Sequence, residues 1–401
     1  MRAMYGPMSG HLIGETSVFD MEAGWVPYRP FTHHFTHLKP YTDDTSETMF
    51  KINKNGDRIG DCALCFRVGA IAGGTGGTYK RLVDGFGYAV LEKIMYKYST
   101  RDFSPVYPEE MFALVHKLAK TEENEMRKVL TRTGYSNAER DAFGTVAQDF
   151  MLEIPFYWTH KPSHTLRVNA LAEEVEVIVR WNNFNKYIQT DHATTTPTVS
   201  RVAGTTRLRV RYFTMDTQER SRMVNDATNQ GVTELMHSCS KLSRLVPSGT
   251  DTSTEPYQVD LSILKNATRA VHFYFVKETE ANGSQAQINP FNLQEIKRWR
   301  MIQNNEVIIP WVSHLENIWY ENPKAFGCLP GALIYGANMP TVLDSNDKTH
   351  ITGHLPFDTL HFPTLEIEFN SALTEAWRMK VLTRDISMIQ TIAGDHIQAF
   401  K

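Results

Sequence analysis

Residues 174–181 read Glu-Val-Glu-Val-Ile-Val-Arg-Trp. Val175, Val177, Val179 and Trp181 fall on one side of an extended chain; Glu174, Glu176 and Arg180 fall on the other. Successive side chains of a strand point to opposite faces, so this is a strand with one dry and one wet face. The same alternation recurs along the chain. Leu208, Val210 and Tyr212 alternate with Arg207, Arg209 and Arg211; Leu365, Ile367 and Phe369 with Glu366 and Glu368; Trp377, Met379 and Val381 with Arg378 and Lys380. One-sided burial marks antiparallel sheets packed as sandwiches, whereas parallel strands are covered on both faces and read as unbroken apolar runs.

Turn residues punctuate these strands. Asn55-Gly56-Asp57 separates two extended stretches and predicts a hairpin closed by a type I′ turn, whose central residues need φ > 0. Pro155, Pro162, Pro310 and Pro330 mark strand ends, and the glycine-rich stretch 72–78 is a loop. Helical patterns are few: a long one over 109–132, broken near Glu122–Glu125, and short ones over 216–224 and 293–302. Polar connections run over 190–202 and 248–255. No repeat of 20–50 residues appears. Many strands with a few large insertions predict β-sandwiches of the jelly-roll kind. The 401 residues suffice for two domains of roughly 200.

Composition narrows the function. Hydrophobic residues make up 41% and aromatic residues 11% of the chain, enough for large cores on pleated surfaces. The net charge of −3 is wrong for a protein that neutralises phosphates, so direct contact with nucleic acid is not expected. The four cysteines, Cys62, Cys65, Cys239 and Cys328, are too sparse for a disulfide scaffold and fit a reducing compartment. Residues 1–20 are rich in Met and Gly and read as an extended arm; they hold no apolar run of signal-peptide length, and no segment reaches the ~20 apolar residues of a membrane span. The expectation is a soluble protein made inside a cell.

Residues that could carry chemistry are scattered. Cys62 and Cys65 have a CxxC spacing without a second ligand pair, so buried inert thiols are expected. His33, His34 and His37 cluster in a segment read as surface or interface, with a pH-sensitive contact as the lesser alternative. The 72–78 loop lacks the GxxxxGK[ST] pattern of a phosphate cradle. Glu173, Glu174, Glu366 and Glu368 pair up as glycosidase carboxylates do, but they precede or alternate with core residues and read as solvated faces. Asn266 and Asn282 head glycosylation sequons that matter only in a secretory compartment. No catalytic, cofactor or metal residue is assigned.

Four segments, with two lesser stretches beside them, carry a resemblance. Phe50–Val68, a strand running through Asn55, Gly56 and Asp57 into a second strand, resembles the corresponding segment of the major capsid proteins of nucleocytoplasmic large DNA viruses. Val83–Tyr98 resembles that family's next strand. Phe150–Asn182 is similar to its stretch of a proline before aromatics, here Pro155-Phe156-Tyr157-Trp158, followed by a bend and a β-branched strand. Leu208–Arg222, where Asp216-Thr217-Gln218-Glu219-Arg220 directly follows a strand, is similar to the signature near the end of the first jelly roll and is the most specific match. Thr374–Gly394 looks like the last strand and apolar tail, and Tyr28–Thr32 resembles the aromatic-basic opening. The chain is short for the family, and its His-rich opening and the stretch 280–348 depart from the pattern.

The resemblance implies an all-β fold: two consecutive eight-stranded antiparallel jelly-roll sandwiches (a double jelly roll) with helical loop insertions. It implies an arm at 1–20, a first roll at 21–223 and a second at 224–401. The implied role is structural, without enzyme activity or cofactor: a homotrimer forming a pseudo-hexagonal capsomer in the icosahedral shell of a large double-stranded DNA virus. Implied partners are the protein itself, neighbouring capsomers, minor capsid proteins and, through the arm, the internal membrane side. The implied location is the virion, assembled in the host cytoplasm. Asn55, Gly56, Asp57, Pro155, Asp216, Thr217, Gln218, Glu219 and Arg220 are then signature residues. Asp216 is expected to cap a linker helix, with Glu219 and Arg220 making polar contacts at the seam between rolls. The alternatives are a minor or penton-type jelly-roll capsid protein, and a two-domain β-sandwich carbohydrate-binding protein or glycosidase, which would need converging carboxylates.

Overall fold

The computed structural model describes residues 31–398 apart from 104, 160–164, 193, 230, 285, 305, 339–354, 358 and 361. The arm at 1–20 and the Tyr28–Pro30 part of the opening motif lie outside the described residues. Among the described residues no helix is long and apolar enough to cross a membrane.

The first roll holds β1 (Phe31–Leu38), β2 (Thr42–Asp43), β3 (Glu47–Ile52), β4 (Arg58–Val68), β5 (Lys80–Leu82), β6 (Leu91–Tyr98), β7 (Arg101–Asp102), β8 (Gln148–Glu153), β9 (Val175–Trp181), β10 (Ile188–Thr190) and β11 (Arg207–Met215). A sheet ordered β1-β11-β4-β8 faces one ordered β2-β3-β9-β6-β7, with β5 and β10 as a separate two-stranded ribbon. Every pairing is antiparallel. The alternating strands explain the packing. Leu64, Phe66, Leu152 and Val210 from one sheet meet Phe50, Tyr96, Val177 and Val179 from the other.

The second roll holds β12 (Val232–Ser238), β13 (Lys241–Val246), β14 (Tyr257–Asp260), β15 (Ala267–Lys277), β16 (Leu293–Gln294), β17 (Arg298–Gln303), β18 (Glu306–Ser313), β19 (Tyr335–Asn338), β20 (Leu355–Pro356), β21 (Pro363–Glu368), β22 (Trp377–Ile392) and β23 (Asp395–Gln398). One sheet is built on β22 and β15: β12, β13 and β23 pair with β22, and β16, β19 and β20 pair with β15. It faces a sheet ordered β14-β21-β17-β18. Phe273, Phe275, Met379 and Val381 pack against Trp299, Met301, Leu365 and Ile367. In both rolls an early strand lies beside the last long one, β1 on β11 and β13 on β22. The fold is therefore all-β, two antiparallel jelly rolls in tandem.

Three local expectations are corrected. β3 and β4 are not a hairpin: they belong to different sheets, so Asn55-Gly56-Asp57 is a corner by which the chain crosses from one sheet to the other. Neither Asn55 nor Gly56 adopts positive φ. Residues 293–302 are not helical but form β16 and β17. The long helical insertion breaks at 118–120 rather than at its acidic run. A helical turn Pro108–Glu110 widens into a π-helix Met111–Lys117, and a second helix Thr121–Thr131 carries Glu122 and Glu123 in its first turn. Carboxylates are favourable there because the unpaired N–H groups give a helix start partial positive charge.

Candidate functional site, the corner and the joint between the rolls

The corner at 55–57 and the run 216–220 meet in space. Gly56 is needed for close approach: a Cβ there would stand 3.0 Å from both the Phe213 carbonyl oxygen and the Tyr212 Cβ. The Asp57 N–H donates to the Phe213 carbonyl at 2.8 Å. The Asp57 side chain is almost wholly buried. A carboxylate in that position costs several kcal/mol unless its lone pairs are met. They are met by the Met215 N–H at 2.7 Å, by the Asn169 amide and by the Arg220 guanidinium, whose Nε lies 2.7 Å from Oδ1. Arg220 is placed by the helix Thr217–Asn229. Asp216 starts that helix, its Oδ1 accepting from the Glu219 N–H at 2.9 Å and so satisfying one of the orphan donors of the first turn. The helix buries Met223 and Ala227 and touches the second roll, where the Ala393 N–H donates to the Ala227 carbonyl at 3.0 Å.

Gly56, Asp57, Asp216 and Arg220 thus form one lock. Its ion pair ties the linker helix to the first roll, rather than roll to roll as the sequence suggested. Glu219 is buried and lies 4.0 Å from Arg222. Asn55, Thr217 and Gln218 face solvent, and Pro155 lies elsewhere, beside the joint between the rolls.

That joint is extensive. Met236, Ile288, Phe291 and Ile389 of the second roll belong to the same apolar cluster as the first roll's core. Phe291 stacks on Phe112 at 4.1 Å. The π-helix of the insertion packs Ala113 and Leu114, with Leu118 just after it, against Tyr274, Val276 and Leu382. His396 on β23 sits among Tyr96, Tyr98, Phe103 and Tyr157 of the first roll. Burial pushes its imidazole down to about 4. Polar ties line the rest: Arg167 with Glu234 at 3.3 Å, the Ala172 N–H donating to the Gly394 carbonyl at 2.8 Å, and Glu109 with Lys241 at 2.7 Å and Lys380 at 3.4 Å. Burial alone would raise the Glu109 carboxyl, but the two ammonium groups outweigh it and hold it below the usual range.

The other candidates are engaged in structure. Cys62 is buried, burial pushing its thiol up to about 12, and Cys65 is half-buried; both are free. His33, His34 and His37 lie exposed on β1, with His34 stacked on Tyr212 at 5.4 Å. Among the described residues no three His, Cys, Asp or Glu converge as metal ligands would. Donors at the end of the glycine loop are already taken: the Thr78 N–H and hydroxyl and the neighbouring Tyr79 N–H all donate to Asp191. These donors hold the Asp191 carboxyl down at about 2. Glu366 and Glu368 are neutralised by Arg300 and Arg298, whose guanidinium carbons sit 4.7 and 4.4 Å from the Trp311 ring. That is a cross-strand ladder, not an acid and base facing a cleft. Asn266 donates to Asp385, and Asn282 to Glu278.

Sequence reasoning missed the joint residues Glu109, Glu110, Glu234, Cys239, Arg384 and His396. The one local signal was the acidic pair following Pro108 at the head of the only long helical stretch.

Comparison with known proteins places this geometry. Residues 31–216 match the family of the major capsid protein N-terminus. No curated protein matches the chain. PBCV-1 VP54, fitted into a cryo-EM reconstruction of the virophage Sputnik, is similar over 94% of this chain and 98% of its own, with a TM-score of 0.73 at 13% identity. The Faustovirus major capsid protein is similar over 94% and 93%, with a TM-score of 0.70 at 8% identity. The Sputnik virophage structure gives 94% and 90%, with a TM-score of 0.60 at 9% identity. At such identities the likeness is one of fold, the double jelly roll over nearly the whole length. The match to a capsid-protein N-terminal family and the likeness in fold point the same way.

Proposed function

We propose, from the match of residues 31–216 to the major capsid protein N-terminus family, that three copies of this chain form a pseudo-hexagonal capsomer that tiles the icosahedral shell of a large double-stranded DNA virus. The observation that carries this is the joint. A continuous apolar core and several ion pairs bind the two rolls, so that they act as one rigid body with a fixed angle between them. Three such bodies present six comparable lobes, which pack with near-sixfold symmetry on a flat facet. Two hinged rolls would not hold that outline.

The second roll supplies surface for assembly. Leu315, Trp319 and Tyr320 are more than half exposed and follow directly on β18, where Val307 is also exposed. Aromatic residues of this kind are enriched at subunit interfaces and supply most of their energy. Neighbouring capsomers meet on the outer flanks, while residues 1–20 reach minor capsid proteins or the internal membrane side. The net charge of −3 suits a shell that does not touch the genome. Assembly takes place in the host cytoplasm.

Native mass in solution tests the proposal. A stable species at three times 45.8 kDa is expected. A monomer at every concentration overturns it. Trp319→Ala with Tyr320→Ala is expected to weaken the trimer at least tenfold while leaving each protomer folded.

A further inference from the structure

We propose that Glu110 is a proton-controlled lock on the joint: the rolls close tightly when its carboxyl is neutral and loosen when it becomes a carboxylate. Glu109 and Glu110 are consecutive, yet the fold gives them opposite surroundings. Glu109 faces the ammonium groups of Lys241 and Lys380. Glu110 faces into the seam, where its Oε2 is shut off from solvent and the donors beside its carboxyl are the weak Cys239 thiol and the Tyr107 backbone. A void of about 10 Å³ adjoins it, lined by Tyr96, Val106, Pro155, Tyr157, Met236 and Cys239. These residues come from both rolls, and the space suffices for about one water. A single buried water cannot solvate a carboxylate as bulk water does, so the ionised form strains the seam.

The groups facing Glu110 do not reverse this. The Cys239 thiol approaches from the β12–β13 turn, and Arg384 and Asp385 from β22. Tyr96 and Tyr157 close the first-roll side, and Tyr107 offers its backbone. Asp385 is spoken for by the Asn266 amide at 3.0 Å and the Thr268 hydroxyl at 2.8 Å. Burial pushes the Glu110 carboxyl up to about 7; the Arg384 guanidinium pulls the other way without cancelling it. A group raised on folding contributes stability that is whole below its unfolded value and is lost as pH rises through the folded one. For Glu110 that window runs from about 4.5 to about 7. His396, lowered from 6.5 to about 4, has the opposite sign over most of this range, up to about 6.5. Wild-type stability alone is therefore flatter than either group by itself.

The experiment compares the full-length protein with Glu110→Gln, which keeps the shape and cannot ionise. Hydrogen exchange of the β12 and β23 amides is followed at matched pH, so that base catalysis and the histidine terms cancel in the ratio. Protection in the variant relative to wild type should rise by roughly fiftyfold from pH 5 to pH 8. A ratio that stays constant overturns the proposal. Should the variant fail to fold, the carboxyl signal of Glu110 in wild type decides, by isotope-edited infrared or carbon NMR. A midpoint near neutrality supports the lock; a midpoint at or below that of an ordinary glutamate refutes it.

Discussion

Both rolls pin the same kind of corner with a buried aspartate, but they hold it from opposite sides. In the first roll Asp57 sits on the corner between β3 and β4 and takes donors from the end of β11 and from Arg220. In the second roll the chain crosses between sheets from β14 to β15, and the aspartate is on the last long strand instead. Asp385 of β22 takes the Thr268 hydroxyl, the Asn266 amide and the Ser240 hydroxyl. Two rolls with the same strand order therefore meet one topological demand with unrelated residues. That demand is to anchor a crossing whose backbone donors have left one sheet and not yet joined the other. The difference lies in charge. The first corner is held by an ion pair to a helix that begins the linker, so it is wired to the joint. The second is held by neutral donors from within its own roll.

Removing the carboxylates should have the largest effect. Asp57→Ala and Asp385→Ala should each cost about 3 kcal/mol, read from the midpoint of denaturant unfolding, since each leaves buried donors unpaired. The Asn variants separate the two corners: Asp57→Asn should remain strongly destabilised because Arg220 loses its partner, and Asp385→Asn should recover most of the loss. Equal behaviour of the two Asn variants would contradict the contrast in charge. Acid should act next, on the joint. His396 is lowered from 6.5 to about 4, so the stability it contributes is present above about 6.5 and is lost as pH falls through about 4, up to roughly 3 kcal/mol. In the Glu110→Gln background, which removes the opposing carboxyl, melting curves between pH 7 and pH 4 should show exposure of the tyrosines around it, and adding His396→Gln should flatten that response. Gly56→Ala should cost about 1–3 kcal/mol, because its Cβ meets backbone and a β-carbon that must both shift. At the other corner Ile263 is exposed, and Ile263→Ala should stay within about 0.5 kcal/mol by the same unfolding assay.

The strands were legible because each sheet keeps one face dry, which writes a period of two into the residues. Asn55-Gly56-Asp57 was legible as a turn but not as a crossing. A hairpin and a sheet-to-sheet corner both need a short sharp bend, and only the partner across the gap, here Phe213 and Tyr212, distinguishes them. Residues 293–302 misled because Leu293, Ile296, Trp299 and Ile302 recur every third residue and imitate a helical stripe. In space two short strands are interrupted around Ile296, which is buried with Trp299 in the same core. The helix at 217 was legible from its capping aspartate, but the partner of Arg220 was not, because Asp57 stands far back in the chain. The joint was the least legible part. Its lock sets Glu110 beside Cys239 and Arg384, and no local pattern records a contact between residues so distant in sequence.

β23 has a consequence for synthesis. Residues Asp395–Gln398 complete the wall around Tyr96, Phe103 and Tyr157, yet they leave the ribosome about 180 residues after Met215 ends the last strand of the first roll. At ~5–20 residues per second the first roll waits roughly 10–35 s with an aromatic pocket open. During that interval the nascent chain offers the pocket to any apolar segment nearby, including another copy growing on the same message. Translation speed across the second roll thus sets how long each new subunit is exposed to mispairing before its own tail closes it.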